Sequence, residues 1–208
     1  MSGLYGSLRM TVQLIAVGYL LNEFFNYESP LLILAAMAGM LIASGFIVLR
    51  NVPAKEKRIY LLLKILLAHG VIGFGILFFI CYFVIGLDPF WNSRYLVPLA
   101  GMMLASCMNA CSLALERYYS ELSKSGNIMQ AESIALKGAM IPITNTLLAV
   151  GLVSLPGMMT GQILSGVSPI IAVRYQIVVM AMLYANSGLT VLLILKLIKG
   201  NDTVFFNK

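Results

Sequence analysis

Charge is scarce in this sequence: 11% of its 208 residues are charged, whereas 60% are hydrophobic and the mean hydropathy is +0.92. A soluble domain of this length needs far more polar surface to stay in solution. The composition therefore excludes an ordinary soluble protein and indicates a protein whose apolar surface faces lipid. The net charge of +6 does not indicate nucleic-acid binding, because no basic stripe is interleaved with aromatic residues.

Residues that carry catalytic chemistry are also few. The chain has one histidine and three cysteines, and it contains no Gly-x-x-x-x-Gly-Lys-Ser/Thr, His-Glu-x-x-His or Gly-x-Ser-x-Gly motif. The first of these motifs forms the loop that cradles the phosphates of ATP, so this chain is not expected to hydrolyse ATP itself. The other two absences argue against a metallohydrolase and a serine hydrolase. We therefore expect no enzyme activity, no catalytic residue and no cofactor in this chain.

The sequence does contain six apolar segments, each near the ~20 residues needed to cross a bilayer core. They run over about 8–25, 31–49, 59–87, 95–115, 139–165 and 171–198. No cleavage site follows the first segment, so it is expected to remain as a helix. The pattern predicts an all-α fold, a polytopic transmembrane helical bundle of about six helices that forms one domain over residues 1–208.

Lysine and arginine fall almost wholly in alternate loops, which indicates the orientation of the bundle. They include Arg50, Lys55, Lys57 and Arg58 in the link 50–58, Arg117, Lys124 and Lys137 in the link 116–138, and Lys208 in the tail. By contrast, Glu28 is the single charge of the turn 26–30. The positive-inside rule then predicts a multi-pass protein of the inner (plasma) membrane, with both termini, the 50–58 link and the 116–138 elbow in the cytoplasm. Two short helices, broken at Gly126-Asn127, are expected in the elbow.

Polar side chains within or at the ends of the apolar segments are candidates for a transport pathway. They are Gln13, His69, Asn109, Asn145, Gln162, Gln176 and Asn186. Each amide has a structural alternative, because hydrogen bonds between membrane helices contribute about 1 kcal/mol each. For the lone histidine, helix packing is the better explanation, since no acidic or cysteine partner is near it in sequence.

Sulfur-containing residues of the fourth segment are candidate metal ligands. Cys107 and Cys111 lie four residues apart on one helix face, with Met108 beside them, as a path for a soft metal would require. The alternative is packing, because methionine and cysteine fill gaps in membrane interiors.

The fifth segment is interrupted and contains the best hinge candidate. It reads AMIPITNTLLAVGLVSLPGMMTGQILSGVSP, with Pro142 near its start, Gly151 midway and Pro156-Gly157 further on. Proline removes a backbone donor, and broken helices at membrane depth are tolerated where they line a cavity. We therefore predict that Ser154, Pro156 and Gly157 form a hinge beside the pathway.

Four stretches of the sequence together match the pattern of a known family. They are VGLVSLPGMMTGQILSGVSP, the following AVRYQIVVMAML, LVPLAGMM and the N-terminal RMTVQLIAVGYLL. They resemble the iron-export ABC permease family (the FetB type), to which plant aluminium-tolerance permeases are similar. The resemblance runs from Arg9 to about Leu195.

The resemblance implies a permease that works with a separate cytoplasmic ABC ATPase, and this partner would bind ATP and Mg²⁺. Two copies of the chain, a homodimer, would make a plausible pathway. By position in the elbow, the candidates for docking on the ATPase are Glu121, Ser123, Gly126, Gln130, Ala131 and Glu132. The alternative for these residues is an ordinary solvated turn.

The chain departs from the family pattern in three places. An Asp and a Lys three apart are replaced by Asn145 and Leu148, and a Gly-Asn pair is replaced by Ala105-Ser106. One N-terminal membrane helix of the family is also expected to be missing. Losing both charges together keeps the segment neutral, so the fold should survive. If the pair handles a charged cargo in the family, its loss here changes the cargo.

The leading prediction is the permease subunit of an ABC transporter, which exports an iron-like metal ion or a small metabolite with ATP hydrolysed by the partner. Two alternatives stay open. One is a non-transporting membrane scaffold or sensor that retains the fold, and the other is an ATP-independent channel or carrier. The lack of an acidic residue deep in the membrane weighs against an ion-coupled carrier.

Overall fold

The computed structural model describes the backbone of residues 2–27, 29–50, 52 and 58–199, and their side chains except those of 2, 3 and 23–27. Glu28, Lys55, Lys57 and Lys208, which contributed to the predicted orientation, lie outside the described residues. The helices are α1 Ser2–Tyr27, α2 Pro30–Arg50, α3 Arg58–Phe79, α4 Ser93–Ser125, α5 Ile128–Ala149, α6 Gly157–Leu164 and α7 Pro169–Lys199. A π-helical turn, Ile80–Ile85, extends α3. The predicted all-α fold is confirmed, and the described ranges contain no strand.

Five described helices are long and apolar enough to cross a membrane: α1, α2, α3 with its π-helical turn, α4 and α7. The predicted fifth segment, 139–165, is not one helix. Its first part is the end of α5 and its last part contains α6, with residues 150–156 between them. The fifth predicted span is therefore discontinuous, and the multi-pass helical bundle is otherwise as predicted.

The turn between α4 and α5 lies where the sequence predicted it. Gly126 follows the end of α4 with φ +64°, a left-handed conformation that glycine adopts without steric cost. Asn127 then caps α5, because its side-chain oxygen accepts a hydrogen bond from the backbone N–H of Gln130 at 3.2 Å. The prediction of two short helices is wrong, because α4 runs for 33 residues without a break from the membrane segment to this turn.

The central helix of the bundle is α4, which packs against α5, α7 and α2. Buried side chains form two clusters around it. One cluster contains Leu115 and Tyr118 and lies at the end of the bundle near the α4–α5 turn, named here the hairpin end. The other contains Leu77, Met103 and Met182 and lies at the opposite end, named the loop end.

The first helix, α1, stands apart from this core. Every described side chain from residue 4 to residue 20 is exposed, whereas Leu21 packs on the loop-end cluster. The exposed side chains are mostly apolar, so in a membrane this surface meets lipid or another chain.

Candidate functional site

The interruption of the predicted fifth segment begins earlier than expected. The helix α5 continues through Pro142, a position where proline cannot donate a backbone hydrogen bond. One turn later, the hydroxyl of Thr146 donates to the backbone oxygen of Pro142 at 2.9 Å. The helix ends at Ala149, so the break lies before the predicted Pro156-Gly157 pair.

The loop 150–156 is a tight turn followed by a new helix. Gly151 has φ +82°, and its backbone N–H donates to the backbone oxygen of Ser154 at 3.0 Å. Pro156 has φ −63° and directly precedes the first residue of α6, where its fixed φ suits a helix start. Ser154 and Gly157 are exposed. The predicted hinge residues therefore lie in the second half of this loop and at its exit, and the break itself starts at 150.

A groove that four polar side chains help to line lies between α4, α5 and α7. Its volume is about 290 Å³, and this polar groove is lined by Ser106, Asn109, Ala110, Ala139, Pro142, Ile143, Thr146 and Ser187. The hydroxyl oxygens of Ser106 and Ser187 are hydrogen-bonded at 2.8 Å, which joins α4 to α7. Hydroxyl and amide oxygens are neutral ligands that can replace part of the hydration shell of a hard cation or pair with a hydroxyl-bearing molecule.

A second groove lies beside the 150–156 loop, between α5, α6 and α7. Its volume is about 460 Å³, and Gln176 is the one polar side chain that lines it. This side chain is 5% exposed, and its Oε1 has no hydrogen-bond partner within the described ranges. The Oε1 of Gln162, on α6, likewise lacks a partner there. Both predicted amides therefore belong to the helices around the loop groove rather than to the polar groove.

The single histidine lies inside the bundle and lines neither groove. His69 is fully buried, and its Nδ1 lies 3.1 Å from the hydroxyl oxygen of Ser44 on α2. Similarly, buried Asn186 on α7 donates to the backbone oxygen of Met103 on α4 at 2.9 Å. Both contacts join neighbouring helices, which is the packing use of polar residues in membrane bundles. The Nε2 of His69 has no partner in the part of the chain that the structure describes.

The candidate metal ligands are not gathered into a site. Cys107 and Cys111 are buried, and neither lines the polar groove. The thiol of Cys107 donates instead to the backbone oxygen of Leu104 at 3.3 Å, and Met108 is half-buried. Among the described residues, no three His, Cys, Asp or Glu side chains are grouped so that they could hold a metal ion.

The predicted pathway residues are thus only partly brought together. Asn109 lines the polar groove, and Asn145 is exposed on α5 next to the groove residue Thr146. Gln13 is exposed on α1 and lines neither groove. The groove also contains Ser106, which the sequence singled out as a departure from the family pattern, and Thr146 and Ser187, which it did not single out. Their hydroxyls give no signal in an apolar segment, because serine and threonine are common inside membrane helices.

Four of the predicted docking residues surround the α4–α5 turn. Ser123, Gly126 and Gln130 are exposed, and Glu121 is half-buried. The side-chain amide of Gln130 donates to Glu121 Oε1 at 3.0 Å, so the two helices are joined just behind the turn.

The other two predicted docking residues face the bundle. Ala131 is fully buried, so it packs between helices and cannot be touched from outside. Glu132 forms an ion pair with Lys199 of α7 at 3.0 Å. A residue that the sequence did not single out is more prominent: Met129 is 74% exposed at the turn. In the sequence, Met129 could have been noticed as a large apolar side chain in a mainly polar stretch.

Apolar spans packed around a central helix define the class of this protein, a multi-pass helical membrane protein. The chain belongs to the family described as Uncharacterised protein family (UPF0014), whose model matches residues 2–201. It is 33% identical over 206 residues to the UPF0014 membrane protein YjkA of Bacillus subtilis, which covers 88% of this chain and 77% of that protein.

Two other relatives have more specific names. The chain is 29% identical to the probable iron export permease protein FetB of Escherichia coli, over 89% of this chain and 75% of that protein. It is also 29% identical to the protein ALUMINUM SENSITIVE 3 of Arabidopsis thaliana, over 86% and 69% of the two chains. The family predicted from the sequence is confirmed. No solved structure matches the chain.

Proposed function

We propose that the chain is the membrane-spanning permease subunit of an ABC-type transporter that works as a homodimer. A separate cytoplasmic ATPase binds ATP and Mg²⁺ and supplies the driving force. The similarity to a probable iron export permease supports an exporter, and the chain's own lack of a phosphate-binding loop supports a separate ATPase.

The observation that carries this proposal is the continuity between the exposed turn and the polar groove. The turn joins α4 and α5, and the same two helices supply Asn109 and Thr146 to the groove. From Asn109 to Ser125 the unbroken α4 rises roughly 24 Å. A force applied at the turn is therefore carried along continuous helices to the groove walls.

The two helices of the hairpin differ in how they respond to such a force. No break interrupts α4 between the groove and the turn. In α5, Pro142 interrupts the backbone hydrogen bonds at the level of the groove. The loop 150–156 then begins about one helical turn beyond Thr146. We propose that α4 acts as the lever and that α5 bends at Pro142 and at the loop, which opens or closes the groove.

The orientation of the bundle follows from the same proposal. The hairpin end lies in the cytoplasm of a cell with the protein in its inner (plasma) membrane, and both termini lie on that side. Support comes from cations at the hairpin end of the described helices: Arg50, Arg58, Lys124, Lys196 and Lys199.

The cargo is an iron-like metal ion or a small metabolite. The polar groove presents neutral oxygens, which suit a hard cation or a hydroxyl-bearing molecule better than a soft metal. Neutral ligands also hold a cation only weakly, as release on the far side of the membrane requires.

The experiment is ATP hydrolysis by the complex of the chain with an ATPase that co-purifies with it, reconstituted in vesicles. Replacing Met129 by Glu places a charge on the apolar side chain at the turn. We expect the permease-stimulated hydrolysis to fall roughly tenfold or more, because burying an unpaired charge at a docking surface costs over about 1.4 kcal/mol. The matched variant Met129→Leu keeps the apolar contact and is expected to retain stimulation.

Two results would contradict the proposal. One is equal stimulation by Met129→Glu and Met129→Leu, which would remove the turn from the docking surface. The other is cargo flux through vesicles that hold the chain without any ATPase, which would establish the channel or carrier alternative. A complex that hydrolyses ATP with no flux of iron or of any metabolite tested would favour the scaffold or sensor.

A further inference from the structure

The groove beside the loop 150–156, named here the loop groove, holds a buried amide that the described chain does not satisfy. Gln176 of α7 lines this groove and is 5% exposed. Its Oε1 is buried without a hydrogen-bond partner, and its Nε2 forms no hydrogen bond with a described residue either. A buried polar group is destabilising unless it is hydrogen-bonded. The groove therefore presents a polar group for which a bound molecule can supply the partner.

The remaining walls of the loop groove are apolar. They include Leu155 of the loop, Met159 of α6 and Met180 of α7. A hard cation takes about six or more oxygen ligands, and the side chains of this groove offer one amide. The volume of about 460 Å³ lies within the range of sites for small organic molecules, which are mostly apolar with a few polar groups. The groove therefore suits an organic molecule that is apolar over most of its surface, and it does not suit a metal ion.

The amide of Gln176 selects the polar group that such a molecule carries. A hydroxyl group both donates and accepts, so it can pair with Oε1 as well as with Nε2. A carbonyl or ester group only accepts, so it cannot pair with the buried Oε1. The acyl chain of a lipid could fill the apolar walls, but it would leave the amide unsatisfied. The best partner is therefore an apolar molecule with one hydroxyl group.

The loop groove follows the polar groove along the same two helices. On α5, Thr146 lines the polar groove and the next residue, Leu147, lines the loop groove. On α7, Gln176, Met180 and Ser187 are spaced i, i+4 and i+11, so they lie on one face of the helix. Ser187 belongs to the polar groove and the other two belong to the loop groove. A molecule that leaves the polar groove towards the loop end along this face therefore meets Gln176 next.

We propose that the loop groove binds an apolar molecule that carries one hydroxyl group, with the hydroxyl hydrogen-bonded to Gln176 and the apolar part against the groove walls. The inference deepens the proposed function, and rests on it in one respect: it names such a molecule, rather than a metal ion, as the cargo released at the loop end. The site itself lies within one copy of the chain, so binding needs no ATPase.

The test is photolabelling of the purified full chain in lipid nanodiscs without an ATPase. The probe is a photoreactive octanol, and mass spectrometry locates the labelled residues. Saturable labelling is expected at residues that line the loop groove. Photoreactive octane, which has the same chain without the hydroxyl, is expected to bind there more weakly.

Two variants measure the contribution of the amide. Gln176→Leu is expected to weaken octanol binding roughly 2- to 10-fold, the range of one net hydrogen bond, and to leave octane binding unchanged. The matched control is Gln13→Leu, because Gln13 is exposed on α1 and lines neither groove. Its octanol binding is expected to equal that of the unaltered chain.

Two further measurements cover the fold and the position of the site. Gln176→Leu is expected to leave the thermal unfolding temperature unchanged or to raise it, because an apolar side chain of similar size replaces an unpaired buried amide. Ala181 is exposed and lines the loop groove, so Ala181→Phe places a ring in the groove without entering the core. This variant is expected to abolish saturable labelling by both probes.

The outcomes separate this inference from the proposed function. Equal octanol binding by Gln176→Leu and the unaltered chain, an equal loss for octanol and octane, or labelling that survives Ala181→Phe overturns the site and leaves the permease role standing. A clear loss of stability in Gln176→Leu would mean that the amide has a partner within the protein, and it also overturns the site. Failure of the chain to stimulate its ATPase would overturn the proposed function and leave the binding result intact. Binding without transport of octanol by the reconstituted complex would overturn the cargo assignment.

Discussion

The two halves of α5 have the same secondary structure and opposite surroundings. In the half next to the turn, Ala131, Ala135, Gly138 and Ala139 are buried. Packing there is so close that a Cβ added at Gly138 would lie 2.5 Å from Cδ of Arg117. In the other half, Ile141, Asn145 and Leu148 are exposed and Thr146 lines the polar groove.

The two halves therefore differ in whether their side chains find packing partners within the same chain. Small residues in the first half let α5 approach α4 and α7 closely, so that half has its partners within the chain. The second half presents large apolar side chains and one amide to its surroundings, so in a membrane it meets lipid or another chain. Changes in the first half should therefore affect folding, and changes in the second half should affect assembly and transport.

The largest expected effect comes from enlarging a buried residue in the first half. Ala135 is fully buried, so Ala135→Leu forces a larger side chain into filled space and should destabilise the protein by about 1–3 kcal/mol. Asn145→Leu also introduces a leucine, but on an exposed surface, and should leave the monomer's stability within about 0.5 kcal/mol of the unaltered chain. Thermal unfolding in detergent measures both. Equal losses at the two positions would remove the distinction between the halves.

A smaller effect is expected from a pair of asparagines that differ in their partners. Asn186 is buried and bonded to the backbone oxygen of Met103, whereas Asn145 has no partner within the described residues. Asn186→Ala should cost about 0.6 kcal/mol and at most about 1.7 kcal/mol, the range for such hydrogen bonds in membranes. Asn145→Ala should cost the monomer nothing measurable. Thermal unfolding in detergent measures both losses. A stability loss confined to Asn145→Ala would contradict the conclusion that Asn186, and not Asn145, joins helices within the monomer.

The smallest effect is expected at the ion pair behind the turn. The side chains of Lys199 and Glu132 are 49% and 23% exposed, so water and salt weaken their attraction. Glu132→Gln should cost about 0.2–1 kcal/mol at low salt. Raising the salt concentration to about 1 M, where the screening length is about 3 Å, should abolish the difference. A loss that persists in high salt would mean that Glu132 has a role in packing beyond the ion pair.

Much of the fold could be predicted because its causes are local in sequence. Apolar runs of bilayer length predicted the spans, and Gly126-Asn127 predicted the turn because the two residues suit a left-handed end and a helix cap. In the fifth segment the sequence showed Pro142, Gly151 and Pro156-Gly157 as interruptions and placed the hinge at the last of them, whereas α5 already ends at Ala149. Proline is common at the start of a helix as well as after its end, and Pro156 directly precedes α6. The turn that follows α5 is formed at Gly151, which has a positive φ.

The site was harder to predict, because its residues meet only in three dimensions. Ser106 and Ser187 are hydrogen-bonded although 81 positions separate them in the chain, and no local pattern reveals such a pair. The amides were visible as polar residues in apolar segments. Their environments were not: Asn186 is inside the core, Asn109 lines the groove and Asn145 is on the surface. Similarly, position in the elbow suggested Ala131 for docking, but only the packing of α5 shows that it is buried.

The central claim is that the chain transports as a pair, with the driving force applied at the α4–α5 turn and carried along α4 and α5 to the polar groove. The most direct test measures the distance between spin labels on Asn145→Cys in the two copies of the ATPase-bound complex, with and without trapped ATP. The account predicts a distance between the two labels that changes when ATP is bound, because α5 bends at Pro142 and at the loop 150–156. The absence of coupling between the labels, or a distance that ATP leaves unchanged, would contradict it.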